Sequence, residues 1–152
     1  MPRPIRRWIL IADASRARVV EVLGASGDRQ TLANLVFRND VKKAQDIMAD
    51  RPGRTFDSAG KGRHAMVDSS DPVGEAERRF AASVLSEIES HASDDAFDRF
   101  VVVAPPSMLH HLRREMPQRL AERLEREIDK DLTHVPTDGL VKALGSEVFP
   151  LH

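Results

Sequence analysis

Cysteine is absent from this sequence of 152 residues. Disulfide bonds, zinc–thiolate sites and thiol catalysis are therefore excluded. Long apolar runs are absent as well, because the run from Trp8 to Ala12 holds only five residues. A signal peptide needs a longer apolar region, and a membrane-spanning helix needs about 20 apolar residues. We therefore expect a cytoplasmic protein that makes no contact with a membrane.

An excess of either charge is also missing, since 23 Lys/Arg against 24 Asp/Glu leave a net charge of −1. Apolar residues at 41% and charged residues at 31% are typical of a soluble globular protein. The length predicts one domain over residues 1–152, with a core that needs no metal or disulfide. Any contact with nucleic acid must then be a local basic patch. No pattern in the sequence indicates a cofactor or defines the oligomeric state.

One segment concentrates positive charge. Residues 50–71 have neither strand nor helix periodicity and contain several glycines, which predicts a long exposed loop. Residues 51–64, called here the basic segment, hold four Lys/Arg and one Asp, a net charge of +3. Loops this long in a compact domain are usually functional or disordered. The charge predicts an anionic partner, with phosphate as the first candidate.

The first part of the chain predicts an antiparallel meander of three strands. Apolar runs joined by short polar turns cover residues 8–12, 17–23 and 31–37. Residues 40–49 carry a weak helical pattern. The best helix follows the loop, since Pro72 suits a first turn and an apolar stripe continues to about Ala92.

The second part predicts a parallel arrangement. Phe100 to Ala104 is a buried strand, and Ser107 is a candidate cap for the next helix. Residues 118–128 fit a helix or an edge strand equally. A last helix is expected from about Pro136 to Leu144, with Gly145 as its stop.

This order of elements indicates the α/β class. A meander followed by crossover helices predicts a mixed five-stranded sheet with helices on both faces, in a ribonuclease H-like arrangement.

Five stretches together resemble the host attachment protein family of bacteria, over about residues 8–144. They are Ala12-Asp-Ala-Ser-Arg-Ala-Arg18, Asp50-Arg-Pro-Gly-Arg-Thr-Phe-Asp-Ser58, Gly62-Arg-His-Ala-Met66, Val102-Val-Ala-Pro-Pro106 and Asp129-Lys-Asp-Leu-Thr-His134. That family is considered similar to the central domain of archaeal and eukaryotic class-I release factors. The resemblance implies the release-factor version of the predicted fold.

The resemblance also implies a partner. In release factors, a Gly-Gly-Gln loop ahead of a long helix positions water against the peptidyl-tRNA ester. Here the loop ahead of the long helix holds Gly60-Lys-Gly-Arg-His64, and Gly-Gly-Gln occurs nowhere. We therefore expect a loop that faces the ribosome or tRNA, and any chemistry would be hydrolysis of a peptidyl-tRNA ester.

The candidate phosphate-binding residues all lie in the basic segment. Positive side chains would contact phosphates while glycines allow close backbone approach. They are Arg51, Gly53, Arg54, Gly60, Lys61, Gly62 and Arg63. His64 is a candidate general base or water-holding group, and Asp57 could orient it or cap a turn. The alternative is a solvated loop whose charge is incidental.

Two other function classes remain open. Asp13 follows the first strand, and with Glu21 and Asp98 it could form a metal-dependent, ribonuclease H-like nuclease site if these carboxylates converge. The third class is an interaction module in attachment to host cells.

Two smaller motifs favour structural roles. Lys130 lies between two acids, and Thr133 is a candidate cap for the final helix. The neighbours His110 and His111 would point about 100° apart on a helix, so they do not form a metal-binding pair.

Overall fold

A computed structural model describes residues 4–24, 28–39 and 72–145. The weak helix at 40–49 and the loop at 50–71 lie outside these ranges. The described strands and helices follow in chain order. They are β1 (Arg6–Ala12), β2 (Arg16–Leu23), β3 (Asp28–Arg38), α1 (Pro72–Ser93), β4 (Arg99–Ala104), α2 (Pro106–Glu115), α3 (Gln118–Arg123), β5 (Leu124–Asp129), a 3-10 turn (Thr137–Gly139) and α4 (Leu140–Leu144).

The five described strands form one mixed sheet. Its order is β3-β2-β1-β4-β5. The pairs β1–β2 and β2–β3 are antiparallel, whereas β1–β4 and β4–β5 are parallel. The predicted meander and the predicted mixed five-stranded sheet are therefore confirmed.

Apolar residues on the two faces of the sheet form two separate cores. The larger core places Trp8 and Leu10 of the sheet against Val84 and Ile88 of α1, together with buried residues of α2 and α3. The smaller core joins Ile9, Ile11 and neighbouring strand residues to Leu140 and Leu144 of α4. Alternate residues of β1 thus enter different cores, as the period of two along a strand requires. Helices cover both faces of the sheet, as predicted.

Helix α1 agrees with its sequence pattern. Pro72 opens the helix, where a missing amide hydrogen costs nothing. The apolar stripe of Phe80, Val84 and Ile88 recurs every four residues and is buried against the sheet.

The structure resolves one open assignment and corrects two predictions about local structure. Residues 118–128 adopt both of the proposed structures in turn, because helix α3 ends at Arg123 and strand β5 begins at Leu124. Helix α2 starts after Pro105 with no side-chain cap, so Ser107 lies inside its first turn instead of capping it. The final helix is divided, since a 3-10 turn precedes α4.

Gly145 has a φ of +57°, which agrees with its predicted role as a helix stop. None of the helices within residues 72–145 has the length and apolarity that crossing a membrane requires.

Candidate anion-binding site

The predicted phosphate-binding and catalytic residues all lie outside the described ranges. They are Arg51, Gly53, Arg54, Asp57, Gly60, Lys61, Gly62, Arg63 and His64. Their roles therefore remain predictions. The described residues show where the segment that contains them joins the fold, and which side chains surround that point.

The segment leaves the sheet beside the turn between β1 and β2. Asn39 follows β3, and its backbone amide donates a hydrogen bond to Ser15 O at 2.8 Å. The Asn39 side-chain amide donates to Ala14 O at 2.9 Å. These two bonds fix the position at which residues 40–71 begin. At their other end, these residues lead into α1 at Pro72.

Asp13 organises this turn. Its Oδ1 accepts hydrogen bonds from the amides of Ser15 at 2.8 Å and Arg16 at 2.9 Å. Its Oδ2 accepts a bond of 2.7 Å from the Thr133 hydroxyl, which links the turn to the loop after β5. Burial raises the pKa of Asp13, but the bonds from Thr133, Ser15 and Arg16 and the charge of Arg16 outweigh it and hold the pKa below its ordinary 3.8.

The sequence predicted Thr133 as a cap for the final helix. Its hydroxyl instead donates to Asp13, so this prediction is wrong. Its hydroxyl also lies 3.3 Å from Asp131 Oδ1, so it connects two carboxylates. Lys130 has a structural role, because its Nζ donates to Ala143 O of α4 at 3.2 Å.

The three acids proposed for a nuclease site do not converge. Glu21 accepts a hydrogen bond of 3.0 Å from the Trp8 indole. Asp98 accepts from the Arg6 amide at 2.8 Å, at the opposite end of β1 from Asp13. Seven strand residues separate these ends, a distance of roughly 20 Å. Within the described ranges, no group of three or more His, Asp or Glu residues is arranged to hold a metal ion. The convergence that the nuclease alternative requires is therefore not met by Asp13, Glu21 and Asp98.

Three arginines gather near Asn39, the last described residue before residues 40–71. Arg16 and Arg38 are directly opposite each other on β2 and β3, and Arg18 is two residues along β2 on the same face. All three line one cavity of about 140 Å³, together with Ile11, Val36 and Thr133 among others. We call Arg16, Arg18 and Arg38 the arginine cluster.

Arg18 is the fixed member of this cluster. Its Nη1 donates to Thr133 O at 2.9 Å, and its Nη2 donates to Val135 O. Both acceptors are neutral carbonyl groups, so they orient the guanidinium group without neutralising its charge. Its Nε is buried and has no hydrogen-bond partner among the residues that the structure describes.

Carboxylates form ion pairs with many arginines in the described part of the chain, but not with these three. Six arginines each form an ion pair with an Asp or Glu. They are Arg6, Arg7, Arg78, Arg79, Arg113 and Arg123. Across residues 4–24, 28–39 and 72–145, no such pair involves the arginine cluster. Asp13 is the nearby acid, and the charge of Arg16 contributes to its lowered pKa, so Asp13 offsets part of the charge of Arg16. Three arginines beside one carboxylate still leave a net positive charge that can attract an anion.

A second cavity, between α1 and α2, has a more balanced charge. It measures about 420 Å³ and is lined by Arg78, Arg114, His110 and His111 as well as Glu75 and Glu115. Arg78 lies 2.6 Å from Glu75 and 3.6 Å from Glu115, so both acids compensate its charge. The adjacent His110 and His111 rings meet edge to face with centroids 5.7 Å apart. This groove is polar, but it favours an anion less than the arginine cluster does.

Sequence reasoning missed the arginine cluster. The stretch Arg16-Ala17-Arg18 places two arginines on one face of a strand by its spacing alone. Arg38 joins them only through the register of β3, which its sequence does not reveal.

A solved structure described as an archaeal protein superimposes with a TM-score of 0.50 and 13% sequence identity. The likeness covers 94% of this chain and 34% of that chain, so this protein spans about a third of that protein's length. At this identity the likeness concerns the fold alone. No curated protein matches the sequence.

A family model provides the assignment. The family described as "Protein required for attachment to host cells" matches residues 8–144. This range includes every described strand and helix except the first two residues of β1. The chain therefore belongs to the family of proteins described as required for attachment to host cells.

Proposed function

We propose that this protein binds RNA through phosphate groups, using the arginine cluster together with the basic segment, and that the ribosome or tRNA supplies the RNA. The observation that carries the proposal is the charge of the cluster. Three arginines line one cavity, and no described carboxylate forms an ion pair with any of them. Arginine binds phosphate well because its planar group offers several donors and is always charged.

The path of the chain supports combining the two regions. Asn39 adjoins Arg38 and is tied to the turn that holds Arg16, so the residues leading to the basic segment start at the arginine cluster. The segment itself adds a net charge of +3. Nearby positive charges attract a polyanion more strongly together than apart.

The fold supports the scaffold we propose for this role. The strand order β3-β2-β1-β4-β5, with helices on both faces, is compatible with a ribonuclease H-like domain similar to the release-factor central domain. On that scaffold the basic segment precedes the long helix α1, as the release-factor loop precedes its helix. Arg51, Arg54, Lys61 and Arg63 would engage phosphates. If a reaction follows, His64 and Asp57 would hold water against a peptidyl-tRNA ester.

Binding of a single-stranded oligoribonucleotide at several salt concentrations tests the proposal. Affinity should fall steeply between about 50 and 200 mM salt, because each neutralised phosphate adds about 0.7 to the logarithmic slope. Arg16/Arg38→Ala should reduce the slope by up to about 1.4 on the same basis. Arg51/Arg54/Arg63→Ala should reduce the slope further.

A matched control removes the same charge elsewhere. Arg119 and Arg126 are exposed on α3 and β5, so Arg119/Arg126→Ala should leave most of the binding intact. Equal losses of RNA affinity in the control and in Arg16/Arg38→Ala would show that binding depends only on the net charge of the protein. Failure of the wild type to bind RNA, or to sediment with ribosomes at low salt, would remove the proposal.

The family description favours a second candidate, an interaction module in attachment to host cells. Protease treatment of intact native cells would test it. Degradation of the protein while cytoplasmic markers survive would place it on the surface and would count against a ribosomal role. Its survival until the cells are lysed would count against direct attachment.

A further inference from the structure

The cavity at the arginine cluster has a mixed lining. Arg16, Arg18 and Arg38 make it positive. Ile11 and Val36 add apolar surface; Val36 is the cross-strand partner of Arg18 and keeps 56% of its surface exposed although it is a large aliphatic side chain. A ligand that suits this lining carries a compact negative group attached to a less polar body.

One of the three arginines is held in place before any ligand arrives. The two carbonyl acceptors from the loop after β5 orient the Arg18 guanidinium group, whereas β-sheet pairing fixes only the backbone positions of Arg16 and Arg38. The preorganisation of Arg18 lowers the entropic cost that binding must overcome. The site therefore already has part of the order that a bound anion would require.

This arrangement is unfavourable without an anion. Like charges directly opposite each other on neighbouring strands destabilise a sheet, and Arg16 faces Arg38 in this way. Burial, followed by the charge of Arg16, lowers the pKa of the Arg18 guanidinium from its ordinary value. A bound anion would relieve both effects, because its negative charge favours the charged form of each arginine.

Charge and size together narrow the class of ligand. One carboxylate needs a single bidentate arginine, whereas three guanidinium groups suit a group with several oxygens and more than one negative charge. A phosphomonoester has three free oxygens and a charge of about −1.5 to −2 at neutral pH. A cavity of about 140 Å³ is smaller than the about 300 Å³ at which pockets for drug-sized molecules begin. It therefore admits the phosphate and its first attached atoms, while the rest of the ligand extends outside.

We propose that this cavity binds a phosphomonoester group, with its oxygens on Arg16, Arg18 and Arg38 and its first carbon atoms against Ile11 and Val36. The group can belong to a free sugar phosphate or to the terminal phosphate of an RNA. The RNA source rests on the function proposed above, whereas the sugar-phosphate source does not. An internal phosphodiester has fewer free oxygens and a single charge, so a chain end is bound in preference to the chain interior.

Oligoribonucleotides of one sequence, with a 5′-phosphate, a 3′-phosphate or hydroxyl groups at both ends, test the RNA source. At least one phosphorylated form should bind about tenfold or more tightly than the hydroxyl form, because charge-assisted bonds are the strong ones. Arg16/Arg38→Ala should bring the ratio of the affinities for the phosphorylated and hydroxyl forms close to one. Arg119/Arg126→Ala should leave this ratio unchanged. Equal binding of all three forms by the wild type would overturn the RNA source and leave the proposed function standing.

Ribose 5-phosphate, titrated against the isotopically labelled protein, tests the cavity without a polymer. The amide signals of Arg18 and Thr133 should shift with the phosphate, and gluconate, which carries a carboxylate, should shift them less. If no oligoribonucleotide binds but these signals shift, the proposed function fails and the phosphomonoester site stands. If ribose 5-phosphate moves neither signal and no end preference appears, the site itself is refuted.

Discussion

Thr133 has its hydroxyl group in the interior of the protein, with only 5% of the residue exposed. The hydroxyl donates to Asp13 and lies close to Asp131, and the Thr133 carbonyl accepts a bond from Arg18. One residue thus connects the turn after β1, the loop after β5 and the arginine cluster. Its contribution is to stability, through the hydrogen bond to Asp13.

We expect Thr133→Val to lower the free energy of unfolding by about 1–3 kcal/mol, because a partly buried carboxylate oxygen loses its donor. Asp13 has a lowered pKa in the folded protein, so its contribution to stability is fully present at pH values above its pKa in the unfolded chain. That contribution is lost as the pH falls through the pKa of Asp13 in the folded protein, which lies below 3.8. The difference between wild type and variant should therefore shrink in acid. Urea unfolding of the wild type and the variant, at neutral pH and below pH 3.8, measures this difference in stability.

Ser83→Ala is a suitable control. The Ser83 hydroxyl donates within its own helix, to Phe80 O at 3.0 Å, and the residue is exposed. Its removal should change stability by no more than about 0.5 kcal/mol. An equally small effect of Thr133→Val would contradict the role given to the hydroxyl.

Two glycines differ in the room available for a side chain. Gly24 has a φ of +51°, and an added Cβ would lie 2.9 Å from Pro4 Cβ. Gly145 has a φ of +57°, but an added Cβ would meet nothing within 4 Å. Both alanine variants should lose about 1–2 kcal/mol for the left-handed backbone, and Gly24→Ala should lose more because of the overlap. Denaturant midpoints of the two variants check this order, and equal midpoints would refute the steric part.

At the scale of single elements, the first turn of α1 holds a carboxylate with an unusual pKa. Hydrogen bonding from Arg78, helped by the charges of Arg78 and Arg79, lowers the pKa of Glu75 from 4.5 to about 2. The stabilising effect is present above the unfolded pKa and is lost as the pH falls through about 2.

We expect Arg78→Ala to raise the pKa of Glu75 towards 4.5, and Arg79→Ala to raise it less, since Arg78 lies closer. Carboxyl carbon shifts of Glu75 followed through an acid titration measure both changes. A larger effect from Arg79→Ala would contradict the contact order in the structure.

The same scale shows what sequence patterns convey about elements. The stripe from Phe80 to Ile88 predicts α1 because its period agrees with its burial. Residues 118–128 were ambiguous because a helix of six residues leads directly into a strand of six residues. Elements this short contain too few turns or alternations for a period to be recognised. Their boundary is set by the pairing of β5 with β4, which is a contact distant in sequence.

At the scale of the whole molecule, the two cores depend on one shared sheet. Leu85 of α1 and Leu140 of α4 are fully buried on opposite faces. We expect Leu85→Ala and Leu140→Ala each to lower the unfolding free energy by about 2–5 kcal/mol, because each leaves a cavity in a packed core. Thermal unfolding followed by circular dichroism should remain a single transition in both variants, since the sheet couples the cores.

An exposed residue provides the control for these leucines. Val36→Ala should change stability by no more than about 0.5 kcal/mol, since Val36 is more than half exposed. An early, separate transition in Leu140→Ala alone would show that α4 is only loosely attached, contrary to the single sheet described here.

The sequence by itself determined the class of this protein, the meander, helix α1 and the concentration of charge in residues 51–64. Those properties depend on composition and on periods within one segment, which neighbouring residues along the chain already define. Asp13 was likewise located correctly at the end of β1.

Only the tertiary structure decided how Asp13, Thr133 and the arginine cluster are connected. Asp13 and Thr133 are 120 residues apart in sequence, and the hydrogen bond between them forms because parallel strands end at the same edge of the sheet. Arg38 reaches Arg16 through a register that includes an irregularity between Arg18 and Val20. Strand register depends on packing and cross-strand pairing, so no pattern within β3 could have specified it.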